Sequence, residues 1–179
     1  GNLKCLYIKN DRVKRSFVSM GVDCGSQYDC VPGLAHLLEH LLFITPENTN
    51  EVNEFDSFLN LHNGESNAFT GDNMTVYHYE LDTPGLEKSL QLFSHFFRNP
   101  MIEEKTIENE INNVDSEFQM GKDHDDYRIS RMYEILIGKK FSVGNRNTFG
   151  TDYKILREKL EVLHQNHYNK MVIVIYSHL

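Results

Sequence analysis

Two histidines and a glutamate close together in the chain have the types and spacing of a metal-binding, acid–base site. His36, Glu39 and His40 form the pattern H-x-x-E-H. The pattern lies in an apolar, Leu-rich run that opens with Pro32 and Gly33, which favours a helix. On a helix the two histidines lie one turn apart on the same face, where two neutral imidazoles can bind one Zn²⁺.

Glu39 follows His36 by three residues, so its carboxylate stays near the same face of the predicted helix. The order is the reverse of the H-E-x-x-H zinc helix. A single histidine on an apolar helix is most often an ordinary core or interface residue, and that alternative stays open. Burying three ionisable groups among leucines costs several kcal/mol unless they are paired or coordinated, which favours a metal.

A third zinc ligand has to come from elsewhere, because a catalytic zinc usually has three protein ligands and one open position. The richest source of acids is a helix predicted over residues 103–119, whose apolar residues recur with helical spacing. Five acids flank this apolar stripe: Glu103, Glu110 and Glu117 along one edge, and Glu108 and Asp115 along the other. Periodicity does not choose between the edges, and a wholly solvated acidic face is equally consistent with it.

The rest of the chain predicts the elements that position these residues. Alternating apolar residues predict strands over 3–9, 15–24 and 74–81, and the segment 65–70 between two turns predicts a short extended strand. The β-branched, almost wholly apolar run over 171–176 predicts a buried central strand. Helical spacing predicts further helices from Thr49 or Asn50 to 61, and over 86–98, 103–119, 123–136 and 152–168, with a loop over 138–150. Strands first, then helices, then a strand indicate an α+β layer fold.

Composition excludes several classes of protein. The 179 residues suffice for one domain with a core, and the net charge of −8 without a basic face argues against a nucleic-acid partner. No apolar run is long enough to span a membrane, so we expect no membrane partner. Three cysteines without a C-x-x-C pair indicate free thiols and a reducing compartment, which favours a cytoplasmic location.

Four segments together resemble the insulinase-type (pitrilysin-like, inverzincin) zinc metallopeptidases, and most of all their insulin-degrading branch. Residues 33–43 are similar to that family's zinc helix, and residues 110–117 to its second acidic element. Residues 66–70 resemble the edge strand beside the active site, and residues 141–145 resemble a further loop. The resemblance implies an α+β fold with a mostly antiparallel sheet and helices packed on one of its faces.

The resemblance also implies a role for each polar residue of the two helices. His36, His40 and Glu117 would bind one Zn²⁺, and Glu39 would act as the general base of a peptide-bond hydrolase. Glu110 would hydrogen-bond a ligand histidine and fix its tautomer. These roles predict a zinc-dependent endopeptidase.

Substrate binding would use the extended segment of Ser66, Asn67, Ala68, Phe69 and Thr70. A peptide or small-protein substrate would add to this edge as a further strand, through main-chain hydrogen bonds that tolerate many sequences. The alternative is that the segment is an interior strand with both edges filled.

The family builds a closed chamber from several related domains. By resemblance, residues 1–179 form a single catalytic zinc-binding domain that is an excerpt of a longer multi-domain chain. Its partners would be peptide substrates and the remaining domains of the chamber, and the isolated fragment would be only weakly active. The alternatives are a non-catalytic subunit or scaffold that binds peptides without cutting them, and a structural zinc module, which the positions of the cysteines disfavour.

Overall fold

Five strands form one sheet in the computed structural model, which describes residues 2–44, 54–98 and 100–179. The strands are β1 (Asn2–Lys9), β2 (Arg15–Val22), β3 (Glu65–Thr70), β4 (Thr75–Asp82) and β5 (Lys170–Ser177). Their order is β1-β5-β2-β4-β3, with β1 parallel to β5 and the other neighbours antiparallel. The predicted α+β fold with a mostly antiparallel sheet is confirmed.

Seven α-helices accompany the sheet in the described residues. They are α1 (Leu34–Leu42), α2 (Glu54–Leu61), α3 (Leu86–Arg98), α4 (Glu104–Gly121), α5 (Asp125–Leu136), α6 (Arg146–Phe149) and α7 (Tyr153–His167). The predicted start of α2 at Thr49 or Asn50 lies outside the described part of the chain. None of the helices in the described residues has both the length and the apolar character that crossing a membrane requires.

The helices cover one face of the sheet. Burial alternates along β2 and β4, so that Val18, Met20, Tyr77 and Tyr79 point into the core while their neighbours are more exposed. α1 is the most deeply buried helix, because its leucines fill the space between the sheet and α4 and α7. Each buried leucine contributes about 1.5–3 kcal/mol, so the orientation of α1 is strongly fixed.

The structure corrects two details of the predicted elements. The segment 138–150 is not wholly a loop, because Asn145 caps the short helix α6: its side chain accepts from the Thr148 amide at 3.1 Å, and the Thr148 hydroxyl accepts from the Asn145 amide at 2.9 Å. β5 has a strand on each side but is buried on one face only, since Ile173 is 8% exposed and Val172 is 46% exposed. The apolar sequence of β5 therefore does not indicate that both of its faces are covered, as the prediction of a buried strand assumed.

Candidate metal centre

The start of α1 is fixed by a carboxylate that lies before it in the chain. Asp29 accepts hydrogen bonds from the amides of Gly33 at 3.0 Å and Ala35 at 2.8 Å, which satisfies amides that the first turn of a helix leaves free. Burial raises the pKa of Asp29 to about 7, although these amides and the charge of Lys140 act in the opposite direction. The helix that carries both histidines is thus anchored at its first turn.

Three donor atoms from α1 and α4 form a compact triangle. The Nε2 atoms of His36 and His40 are 3.3 Å apart, and Oε2 of Glu117 lies 3.6 Å from the first and 3.5 Å from the second. In a tetrahedral site with bonds of about 2.0–2.1 Å, ligand atoms are separated by about 3.3 Å. The spacing of the three atoms, and the N, N, O donor set, therefore fit one zinc ion.

The other ring nitrogen of each histidine has its own partner. Nδ1 of His36 lies 2.8 Å from the main-chain oxygen of Val143, and Nδ1 of His40 lies 3.3 Å from Oε2 of Glu110. Because a carbonyl oxygen only accepts, Nδ1 of His36 carries a proton, and the lone pair of the neutral ring is on Nε2, at the triangle. This arrangement is the one that a metal-binding histidine requires.

The charges around His40 favour a cation at this place. Burial by itself lowers the pKa of His40. The hydrogen bond to Glu110 and the negative charges of Glu117, Glu39 and Glu110 outweigh burial, so the net shift of the pKa is upward. A site that favours positive charge between two imidazoles and several carboxylates is electrostatically suited to a divalent cation.

Glu39 lies beside the triangle and is only 8% exposed. Its Oε2 accepts a hydrogen bond from the hydroxyl of Thr70 at the end of β3. Burial raises the pKa of Glu39, while the Thr70 hydrogen bond and the charges of His36 and His40 reduce the shift. A desolvated carboxylate with a raised pKa is suited to accepting and releasing a proton.

A cleft of about 640 Å³ joins these groups to β3. The cleft is lined by the three predicted metal-binding residues, by Glu39 and Glu110, and by all five residues from Ser66 to Thr70. Asp56 of α2 and the segments 43–44 and 142–143 complete its lining. β3 pairs only with β4 in the described sheet, so the alternative of an interior strand is wrong for this part of the chain. The open edge of β3 faces the same cleft as the triangle of donor atoms.

The structure chooses between the two acidic edges of α4. Glu110 and Glu117 contact His40 of α1, although 49% of the Glu117 side chain is exposed, and Glu103 and Glu108 are also exposed to solvent. Asp115 accepts a hydrogen bond from the amide of Arg146 at 3.1 Å and so faces the other way, toward α6.

Sequence reasoning missed the main-chain oxygen of Val143. A main-chain group has no residue type that could identify it, and the resemblance of residues 141–145 to a family loop was the one available signal. The neighbouring Ser142 is held by the carboxylate of Glu134, which accepts from its amide at 3.2 Å and from its hydroxyl. Arg131, one turn earlier on α5, lies 4.8 Å above the ring of Phe141.

Comparison with known proteins agrees with this geometry. The sequence profile described as insulinase, peptidase family M16, matches residues 4–139. The A-factor-processing enzyme of Saccharomyces cerevisiae is 35% identical over 178 residues, which cover 93% of this chain and 17% of that protein. The insulin-degrading enzyme of Mus musculus is 31% identical over 185 residues, which cover 97% of this chain and 18% of that protein.

The crystal structure of pitrilysin has the same fold, with a TM-score of 0.89 and 26% identity over 98% of this chain and 20% of that chain. The chain therefore spans about a fifth of the length of these relatives. The matched profile covers the two helices of the triangle and the edge strand between them. The chain belongs to the insulinase family of peptidases, family M16.

Proposed function

We propose that this chain is the zinc-binding catalytic domain of an endopeptidase that hydrolyses extended peptides. The observation that carries the proposal is the triangle of three donor atoms at 3.3–3.6 Å, with a buried carboxylate beside it. Membership of a peptidase family supports the same reaction.

His36, His40 and Glu117 would hold the metal through Nε2, Nε2 and Oε2. When bound there, zinc would polarise the scissile carbonyl and lower the pKa of water toward neutrality. Val143 and Glu110 keep the two rings in the orientation and tautomer that direct Nε2 at the metal.

Glu39 moves the proton. Its carboxylate takes a proton from the attacking water and later passes it to the nitrogen of the leaving amine. Its burial raises the pKa of this carboxyl group, which favours the protonated form that Glu39 takes up between the two transfers. Glu39 belongs to α1, between the two ligand histidines in sequence, so its distance from the metal is set by the same helix.

The open edge of β3 would bind the substrate. The amide of Ala68 donates to the side chain of Asn67 at 2.8 Å and is therefore not used in the pairing with β4. Because alternate residues of an antiparallel strand direct their main-chain groups to the same edge, those of Ser66 and Thr70 also face the cleft. A substrate strand could replace the Asn67 side chain as the hydrogen-bond acceptor of the Ala68 amide. Such a strand would run along the cleft past Glu39 and the proposed metal.

The remaining domains of the chamber would be partners of this domain. The relatives are about five times longer than the chain, so a protein of their length would have other segments available to contact a substrate. We expect residues 1–179 in isolation to fold and bind zinc but to hydrolyse peptides weakly.

Metal content and peptide hydrolysis, measured on matched variants, test the proposal. Wild type should hold one zinc, Glu117→Ala should lose it, and Glu39→Gln should keep it while turnover falls at least about 100-fold. Glu108→Gln is the matched control, because this exposed acid lies on the same helix outside the site. Zinc-free wild type would indicate a scaffold, and normal turnover by Glu39→Gln would remove the general base from the mechanism.

A further inference from the structure

Thr70 connects β3 to α1 through one hydrogen bond. It is the last residue of β3, and its hydroxyl donates to Oε2 of Glu39. The same hydroxyl oxygen lies 3.3 Å from Oγ1 of Thr75, the paired residue on β4. Three polar side chains from three elements thus meet at the wall of the cleft, where Glu39 and Thr70 are lining residues.

The proton of the Thr70 hydroxyl has two possible acceptors, the carboxylate of Glu39 and the hydroxyl oxygen of Thr75. Thr75 is fully buried, and its hydroxyl donates to the main-chain oxygen of Cys24 at 2.8 Å. A hydroxyl has a single proton and a carbonyl oxygen can only accept, so Thr75 has no proton to donate to Thr70. Of the two acceptors within reach, the Glu39 carboxylate is the closer, at 2.5 Å against 3.3 Å for Thr75, and it is the charged one, so the Thr70 hydroxyl donates to Glu39 and directs one carboxylate oxygen toward β3.

The same residue lies at the open edge of β3. Its main-chain groups have the same orientation as those of Ala68, which are not used in the pairing with β4. Thr70 can therefore contact a docked strand through its main chain while its side chain contacts Glu39. A displacement of the strand end would change the direction of the carboxylate.

We propose that Thr70 is a positioning residue: its hydroxyl holds the Glu39 carboxylate in the orientation for proton transfer and ties it to the strand that binds the substrate. The inference rests on the proposed function and adds a side-chain role to the main-chain role of this strand. If Thr70 only bound the substrate, it would do so through its main-chain groups. A change of its side chain would then leave its role unaffected.

Turnover of the zinc-loaded, full-length protein separates the two roles. In Thr70→Val, which keeps the shape and removes the hydroxyl, kcat should fall about 10–100-fold with unchanged zinc content. KM should stay within about threefold, because the main chain is unchanged. Thr70→Ser should restore kcat. Thr70→Ala also lacks the hydroxyl, so it should lower kcat as Thr70→Val does, and it replaces Thr70→Val as the test if Thr70→Val folds poorly. Thr151→Val, at an exposed threonine outside the cleft, is the matched control.

Crystal structures of the zinc-loaded variants give a readout that does not depend on turnover. The Glu39 carboxylate should be rotated in Thr70→Val and Thr70→Ala and unchanged in Thr70→Ser. The inference is overturned if the carboxylate keeps its orientation without the hydroxyl, if kcat is unchanged, or if KM alone rises. In the same assay, an active Glu39→Gln would refute the proposed function, whereas an inactive Glu39→Gln beside a normal Thr70→Val would refute this inference alone.

Discussion

Replacing Gly33 by alanine should weaken zinc binding although residue 33 contacts no metal. Gly33 lies at the start of α1 with φ of +87°, in the left-handed region. A Cβ on this residue would lie 2.4 Å from Cα of Gly144 and 2.8 Å from the main-chain oxygen of Val143. Both neighbours are main-chain atoms, so the contact can be relieved only by moving the segment that orients His36.

The size of the effect follows from two terms. A non-glycine residue in the left-handed conformation costs about 1–2 kcal/mol, and overpacking typically costs about 1–3 kcal/mol. The zinc-free Gly33→Ala protein should therefore lose about 2–5 kcal/mol of unfolding free energy. Displacing the Val143 oxygen from Nδ1 of His36 removes the partner that fixes the tautomer, so zinc affinity should fall about 10–100-fold.

Gly138 supplies the control, because its φ is +71° and a Cβ there would meet nothing within 4 Å. Gly138→Ala should lose only about 1–2 kcal/mol and bind zinc as wild type does. Urea unfolding in the presence of a chelator gives the stabilities, and competition with a chromophoric chelator gives the zinc dissociation constants. Equal losses of stability in the two variants, or unchanged zinc affinity in Gly33→Ala, would refute the reasoning.

Two further predictions concern carboxylates around α1. Glu110→Gln should weaken zinc binding about tenfold, since the ring of His40 loses a charged partner at 3.3 Å; an unchanged dissociation constant in the competition titration would contradict this. The second concerns Asp29, whose pKa is about 7 against an ordinary value of 3.8. The folded protein therefore binds this proton more tightly than the unfolded chain, and the stability that it contributes is present below about pH 4 and lost as the pH rises through about 7. Relative to Asp29→Asn, the unfolding free energy of wild type should fall by up to about 4 kcal/mol across this range, measured by urea unfolding at both ends; parallel pH profiles would contradict it.

Elements with local signals were predictable from the sequence. α7 begins where Asp152 accepts from the amide of Ile155 at 3.1 Å, and aspartate is one of the residues preferred at this position before a helix. β4 follows from the alternation of its residues, and β3 follows from the turns that bound it. α6 was missed because its only signal is a two-residue reciprocal cap within a polar segment, and such short patterns are frequent in loops.

The site was predictable only in part, because its parts depend on different kinds of information. The spacing of His36 and His40 follows from helix geometry alone. The approach of Glu117 depends on how α4 is rotated about its axis, and that rotation is set by the packing of Ile107, Ile111 and Val114 against the rest of the core. Both acidic edges of α4 flank this apolar stripe, so periodicity could not distinguish them.

The balance between core and site explains how α1 can hold polar groups among leucines. Leu34, Leu37, Leu38 and Leu41 have no exposed surface, and at about 1.5–3 kcal/mol each they contribute about 6–12 kcal/mol to holding this helix in place. Burying the Glu39 carboxylate costs several kcal/mol, reduced by the hydrogen bond from Thr70. The apolar term is the larger, so α1 can keep its orientation without a metal. The leucines that form the core therefore also fix the direction of both histidines, and a metal would find its ligands already in position.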